Sequence, residues 1–105
     1  MKTIQQRYEE AKTIPCDINE HLSTLMRYGQ QCGSIVELGV RDGLSTLALL
    51  NARPKKMRSY DIRLTEQAKD IYKQAKLEAT FHRQMHHFEY LLLTLYPKWC
   101  ICLWN

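Results

Sequence analysis

The fold class is indicated by one stretch of the sequence, Val36-Glu37-Leu38-Gly39-Val40-Arg41-Asp42-Gly43-Leu44-Ser45-Thr46. Residues 34–38 form a short run of mainly apolar and β-branched side chains, which predicts a buried strand. Gly39 and Gly43 bound a turn, and residues 44–52, rich in Leu and Ala, predict a helix. A strand, a glycine turn and a helix in this order indicate an α/β domain with a parallel sheet.

The flanking sequence repeats this alternation. Residues 57–62 predict a second strand around Asp61, and a helix that Thr65 caps follows over residues 65–79. Before the first strand, residues 3–12 predict one helix and residues 17–28 another, with Asp17 as its N-cap and Gly29 at its end. The order of elements therefore predicts parallel strands joined by helical crossovers.

The last part of the chain is harder to interpret. A third strand is predicted to begin over residues 80–82, and a nearly continuous apolar run follows over residues 88–96. Periodicity cannot separate a strand from a buried helix in such a run, and we favour a helix over residues 85–95.

Length and composition indicate one soluble globular domain. The chain has 105 residues, 45% of them hydrophobic and 25% charged, and a formal net charge of +4. The N-terminus lacks the apolar core of a signal peptide, and no apolar stretch is long enough to span a bilayer. We therefore expect a cytoplasmic protein with reduced cysteines and no membrane partner. The cations at positions 53–58 are expected to be solvated, and we expect no nucleic-acid partner.

The turn between the first strand and its helix carries the chemistry. Ligands of open α/β sheets bind at the carboxyl ends of the strands, where Glu37 lies. Glycine allows the backbone to approach a ligand closely, and the N-terminus of the following helix offers free N–H groups. Ser45 and Thr46 add two hydroxyls at that point.

Two common phosphate-binding patterns do not fit. A dinucleotide fingerprint requires glycines at positions 39, 41 and 44, but the chain has Arg41 and Leu44. A phosphate-binding loop of the Walker type requires four residues between its glycines and then Lys-Ser/Thr, and neither condition is met. Glu37 also repels a phosphate and suits a cationic ligand.

The segment resembles motif I of the class I S-adenosylmethionine-dependent methyltransferases. Glu37-x-Gly39-x-x-x-Gly43 matches the pattern acidic-x-Gly-x-Gly-x-Gly except at Arg41, which stands in place of the middle glycine. The variant that ends Gly-x-Ser-Thr resembles the branch of sugar and small-molecule O-methyltransferases related to the cephalosporin hydroxylase group. Asp61 lies 24 residues after Glu37, where the family has a second acid.

The resemblance implies a role for each matching residue. Asp61 would accept hydrogen bonds from the ribose hydroxyls, and Glu37 would face the amino end of the methionine moiety. Gly39 and Gly43 would pack against that moiety, and Ser45 and Thr46 would lie near its carboxylate. The complete set of predicted cofactor-binding residues is Glu37, Gly39, Arg41, Gly43, Ser45, Thr46 and Asp61.

The resemblance also implies a Rossmann-like three-layer αβα fold with an incomplete sheet. We divide the chain into an N-terminal helical segment (1–33), a cofactor-binding core (34–82) and an atypical hydrophobic tail (83–105). The acids that the family carries after its third and fourth strands are missing, so we expect the reading frame to be truncated or altered near residue 82, which sequencing of the source gene would test. Exposed strand edges would then favour a homo-oligomer.

The expected function is methyl transfer from S-adenosylmethionine to a small-molecule acceptor, with this chain supplying the cofactor-binding half. Its rivals are a binding module without turnover, for a nucleoside or a protein partner, and a nucleotide-dependent oxidoreductase. No catalytic base can be identified, because His82, His86 and His87 qualify only by their chemistry. We expect no metal site.

Plainer interpretations of the same residues stay open. Glu37 would be a strand-end carboxylate paired with Arg41 or Arg63, Asp61 a simple strand-end acid, and the two glycines would serve only a tight turn.

Overall fold

A computed structural model describes residues 1–81, 87–92 and 100–104. In chain order the elements are α1 (Ile4–Ala11), a 3-10 turn (Asn19–His21), α2 (Leu22–Gly29), β1 (Ser34–Leu38), α3 (Leu44–Asn51), β2 (Lys56–Asp61), α4 (Glu66–Phe81), β3 (His87–Leu92) and β4 (Cys100–Trp104). The predicted alternation of strands and helices is therefore present from β1 to β3.

The four strands form one sheet in the order β3-β2-β1-β4. β1 pairs with β2 in parallel, with Glu37 opposite Ser59, and β2 pairs in parallel with β3. β4 runs antiparallel to β1, with Ile101 opposite Glu37. The fold is α/β, and β1, β2 and β3 form a Rossmann-like, incomplete parallel sheet as predicted, to which β4 adds an antiparallel strand that was not predicted.

The described helices pack on one face of this sheet. Ile35, Met57 and Phe88 point to that face and are buried in one apolar cluster with residues of all four helices. On the opposite face Arg58 and Glu89 form an ion pair of 3.1 Å, and both side chains stay more than 40% exposed. The described residues thus form two of the three predicted layers, one helical layer and the sheet.

Helix α3 is the centre of the helical layer. Every residue from position 45 to position 50 is buried, which is typical of a helix that other elements surround on all sides. It packs against both α1 and α2. The predicted helix over residues 3–12 is confirmed as α1, and its buried residues Ile4, Tyr8 and Ala11 follow helical spacing.

Helix α4 covers the sheet beside α3. The hydroxyl of Thr65 accepts a hydrogen bond of 3.2 Å from the backbone N–H of Ala68, which confirms the predicted cap. The helix buries one apolar stripe. It consists of Ala68, Ile71, Tyr72 and Ala75, with Ala79 partly buried.

Three local predictions were wrong. Asp17 does not cap α2, which begins at Leu22 after the 3-10 turn and has no side-chain cap. No strand begins at Thr80, because α4 continues through Phe81. The helix favoured over residues 85–95 is, at residues 87–92, the strand β3, since the edge of β2 pairs with it in parallel. The other residues of that prediction lie outside the described ranges.

Within the described ranges no helix combines the length and the apolarity that a membrane span requires.

Candidate functional site

The glycine turn joins the carboxyl ends of two neighbouring strands. The backbone N–H of Gly39 donates a hydrogen bond of 2.8 Å to the carbonyl of Tyr60, which ties the turn to β2. Positions 39, 41 and 43 all adopt positive φ, at 93°, 55° and 93°. Arg41 thus adopts a left-handed conformation at the position where the motif has its middle glycine, which strains the backbone.

Asp61 holds this turn from below. Its Oδ2 accepts hydrogen bonds from the backbone N–H groups of Val40, at 2.7 Å, and Arg41, at 2.9 Å. Its Oδ1 accepts a longer one, of 3.3 Å, from the N–H of Arg63. Burial opposes ionisation, but these backbone donors prevail and hold the pKa of Asp61 below its ordinary value of 3.8. Asp61 is therefore a carboxylate that fixes the turn.

Glu37 lies on the helix side of β1 and has no exposed surface. Its carboxyl group accepts hydrogen bonds from three hydroxyls, those of Ser45 (2.7 Å), Thr46 (2.7 Å) and Ser59 (2.8 Å). Burial raises the pKa of Glu37 above its ordinary value of 4.5, although these hydroxyls act in the opposite direction. The described partners of Glu37 are hydroxyls rather than arginines, and Arg41 instead pairs with Asp17 at 3.1 Å.

Sequence reasoning missed two members of this cluster. The Ser59 hydroxyl is in short hydrogen-bond contact with the hydroxyl of Tyr72, and the Tyr72 ring stacks on that of Tyr90 at 5.5 Å between centroids. Burial raises the pKa of Tyr72 well above its ordinary value. From the sequence, the helical spacing of Tyr72 indicates packing in the core and gives no sign of a contact with Ser59. The available signal for Ser59 was its place two residues before Asp61, on the same side of β2.

A cavity of about 350 Å³ opens on the outer side of the turn. The residues that line it are Cys16, Asp17, Ile18, Val40, Arg41, Asp42, Leu44 and Ser45. This volume falls in the range of about 300–1,000 Å³ that is usual for small-molecule sites. Ser45 is the single residue that both lines the cavity and binds Glu37.

The structure brings the predicted site residues together in two groups. Arg41 and Ser45 line the cavity, and Gly39 and Gly43 shape the turn beside it. Behind this turn lie Glu37, Thr46 and Asp61, which all use hydrogen bonds to the protein itself. His82 and His86 lie outside the described residues.

The donor set fits part of what S-adenosylmethionine would require. Asp61 Oδ1 accepts a long hydrogen bond from Arg63, and a carboxylate oxygen has two lone pairs, so it could accept a further bond from a ribose hydroxyl. Glu37 would act on a positive charge in the cavity through Ser45 rather than by direct contact. The amino-terminal N–H groups of α3 would receive a carboxylate.

Comparison with known proteins does not assign a family. No family model, curated protein or solved structure matches the chain. Among the described side chains, no group of three or more His, Cys, Asp or Glu residues is placed to hold a metal ion.

The strain at Arg41 gives a first prediction. We expect Arg41→Gly to be more stable than Arg41→Ala by about 1 kcal/mol, because glycine adopts positive φ without a steric penalty and alanine does not. Both variants remove the exposed ion pair with Asp17, which contributes little, so the difference isolates the backbone. Urea denaturation measures it. Equal stabilities would show that position 41 is not left-handed in solution.

Proposed function

We propose that this chain forms the S-adenosylmethionine-binding half of a methyltransferase that acts on a small-molecule acceptor in the cytoplasm. The observation that carries the proposal is the left-handed conformation at positions 39, 41 and 43, in a turn that Asp61 fixes at the carboxyl edge of parallel strands. This conformation accounts for the spacing of the acidic-x-Gly-x-Gly-x-Gly pattern even where arginine replaces glycine.

The groups that line the cavity and those behind the turn have distinct parts in this proposal. Asp61 would hold the ribose through its free acceptor capacity while its other oxygen keeps the turn in place. Ser45 would present the negative potential of Glu37 to the cationic end of the ligand. When bound, S-adenosylmethionine supplies an activated methyl group, and the protein contributes by orienting it towards the acceptor.

The second candidate is a binding module without turnover, for a nucleoside or a protein partner. It is favoured by the hydroxyls of Ser45 and Thr46, which already donate to Glu37. The same residues would then shape a rigid turn, and no methyl group would be transferred.

Calorimetric titration with S-adenosylhomocysteine tests the proposed site. We expect the wild type to bind and Asp61→Asn to bind about tenfold to a hundredfold more weakly, because a hydrogen bond to a charged group is lost. The asparagine keeps one oxygen for the backbone donors of the turn, so the fold should persist. Glu9→Gln, which removes an exposed acid that pairs with Lys12 on α1, is the matched control and should bind like the wild type.

The two candidates separate in a second assay. Transfer of a labelled methyl group from S-adenosylmethionine to a panel of small hydroxylated acceptors would support the enzyme. Binding without transfer would support the module. A folded wild type that binds no S-adenosylhomocysteine would contradict the cofactor proposal itself.

A further inference from the structure

Among the residues that the structure describes, the contacts of the buried acid Glu37 include no cation. The groups that face it are Ser45 and Thr46 from α3, Ser59 from β2 and, beyond Ser59, Tyr72 from α4. Within the described ranges, the titratable groups coupled to Glu37 are Asp61, Tyr72 and Tyr90, and none of these three carries positive charge. The residue opposite Glu37 on β4, Ile101, does not titrate.

This arrangement favours the neutral form of Glu37 in the free protein. An ionised carboxylate removed from water requires a cationic partner or several strong donors, and hydroxyls compensate only in part. The negative charge of Asp61 opposes a second negative charge at Glu37. A neutral acid also fits the geometry, since each neighbouring hydroxyl can rotate to donate or to accept.

Ser45 connects this acid to the cavity. Its Oγ lies 2.7 Å from Glu37 Oε2, and the same residue lines the cavity beside Arg41 and Asp42. With Glu37 neutral, the Glu37 O–H donates to Ser45 Oγ, and the Ser45 O–H is directed elsewhere. With Glu37 ionised, the Ser45 O–H donates back to the carboxylate. The state of the acid therefore changes the direction of the hydroxyl of a residue that lines the cavity.

Building on the proposed function, we infer that Glu37 is a neutral acid in the free protein and releases its proton through Ser45 when a cationic ligand enters the cavity. The O–H bond of Glu37 breaks, Ser45 Oγ takes that proton and passes its own to the solvent of the cavity, and the buffer receives it. No electrons are transferred. S-adenosylmethionine, with a sulfonium and an ammonium group, is a ligand of this class.

Proton release makes binding depend on pH in a defined direction. Affinity for the cation should rise about tenfold per pH unit while free Glu37 is protonated, and level off above its pKa. Ser45 and Glu37 would thus favour a cationic ligand over a neutral one of the same shape.

Calorimetry with S-adenosylmethionine in phosphate and in Tris, whose ionisation enthalpies differ, counts the protons. Across a series from about pH 5 to pH 8 we expect the wild type to release up to about one proton for each ligand bound. Glu37→Gln should bind without releasing it. Glu9→Gln, which removes an exposed acid on α1 that does not line this cavity, should release it like the wild type.

The outcomes separate this inference from the proposed function. Binding by the wild type without proton release overturns the inference and leaves the cofactor site standing. No binding at any pH overturns both. If Glu37→Gln does not fold, the carboxyl ¹³C resonance of Glu37 in the wild type decides. A chemical shift typical of a protonated carboxyl group that moves to the carboxylate value when ligand is added supports the inference. A carboxylate chemical shift in the free protein contradicts it.

Discussion

Replacing Glu37 with alanine should lower the free energy of unfolding by about 3–5 kcal/mol, among the largest effects expected for a single substitution in this chain. The side chain is fully buried, so its removal leaves a cavity between β1 and α3. The substitution also leaves the hydroxyls of Ser45, Thr46 and Ser59 without their common acceptor. Buried polar groups that lose a partner destabilise the folded state further. Urea denaturation followed by circular dichroism measures the change.

Glu37→Gln is the matched control. It keeps the volume and one acceptor oxygen, so we expect a loss of about 1 kcal/mol or less. Similar losses for the alanine and glutamine variants would contradict the hydroxyl cluster, because the cavity and the orphaned hydroxyls arise only with alanine.

The same pair of proteins tests the direction of the pKa shift. Because burial raises the pKa of Glu37 in the folded state, its contribution to stability is fully present below pH 4.5 and is lost as pH rises through the folded pKa. Asp61 has the opposite effect, since its pKa is lowered and its contribution is lost as pH falls below 3.8. Relative to the wild type, Glu37→Gln should therefore lose less stability between pH 4.5 and neutral pH.

Gly43→Ala should lower the free energy of unfolding by about 2–4 kcal/mol. Two effects contribute. The residue has φ at +93°, where an L side chain is strained. A Cβ atom there would also lie 2.7 Å from Cδ1 of Ile71, which is 1% exposed and has little room to move. The turn and the start of α3 would shift, so the variant should also have a lower affinity for any ligand that binds in the cavity.

A double-mutant cycle with Ile71→Val separates the two effects. Valine lacks the Cδ1 atom, so the clash disappears in Gly43→Ala/Ile71→Val while the backbone strain stays. We expect the double variant to be more stable than the sum of the two single losses predicts, by about 1 kcal/mol or more. Strict additivity would assign the whole loss to the backbone at position 43.

The elements around the turn follow from local sequence pattern alone. β1 was predicted at its observed bounds, because a short run of apolar and β-branched residues between glycines is typical of a buried strand. The helix after the turn and the acid that ends β2 also followed from local pattern. Left-handed backbone at Gly39 and Gly43 is a local property that the glycines themselves indicate.

The pairing and direction of the strands depend on contacts between distant segments of the chain. Strand β3 could not be distinguished from a helix by sequence, since a continuous apolar run shows neither the helical period of about 3.6 residues nor the strand period of about 2. Only its pairing with β2 makes this segment a strand. The antiparallel direction of β4 follows from the sheet as well. Only seven residues, 93–99, separate it from β3, fewer than a helical crossover requires.

The hydroxyl cluster shows the same division at atomic scale. From the sequence, Glu37 and Asp61 are two acids at strand ends, and both were predicted to bind the cofactor. The register of β1 and β2 instead places Ser59 opposite Glu37, and the docking of α4 brings Tyr72 to Ser59. One acid is therefore buried among hydroxyls while the other is held by backbone N–H groups, and their pKa values shift in opposite directions. Residue type and spacing set which groups are present, but burial and partners depend on how distant segments pack.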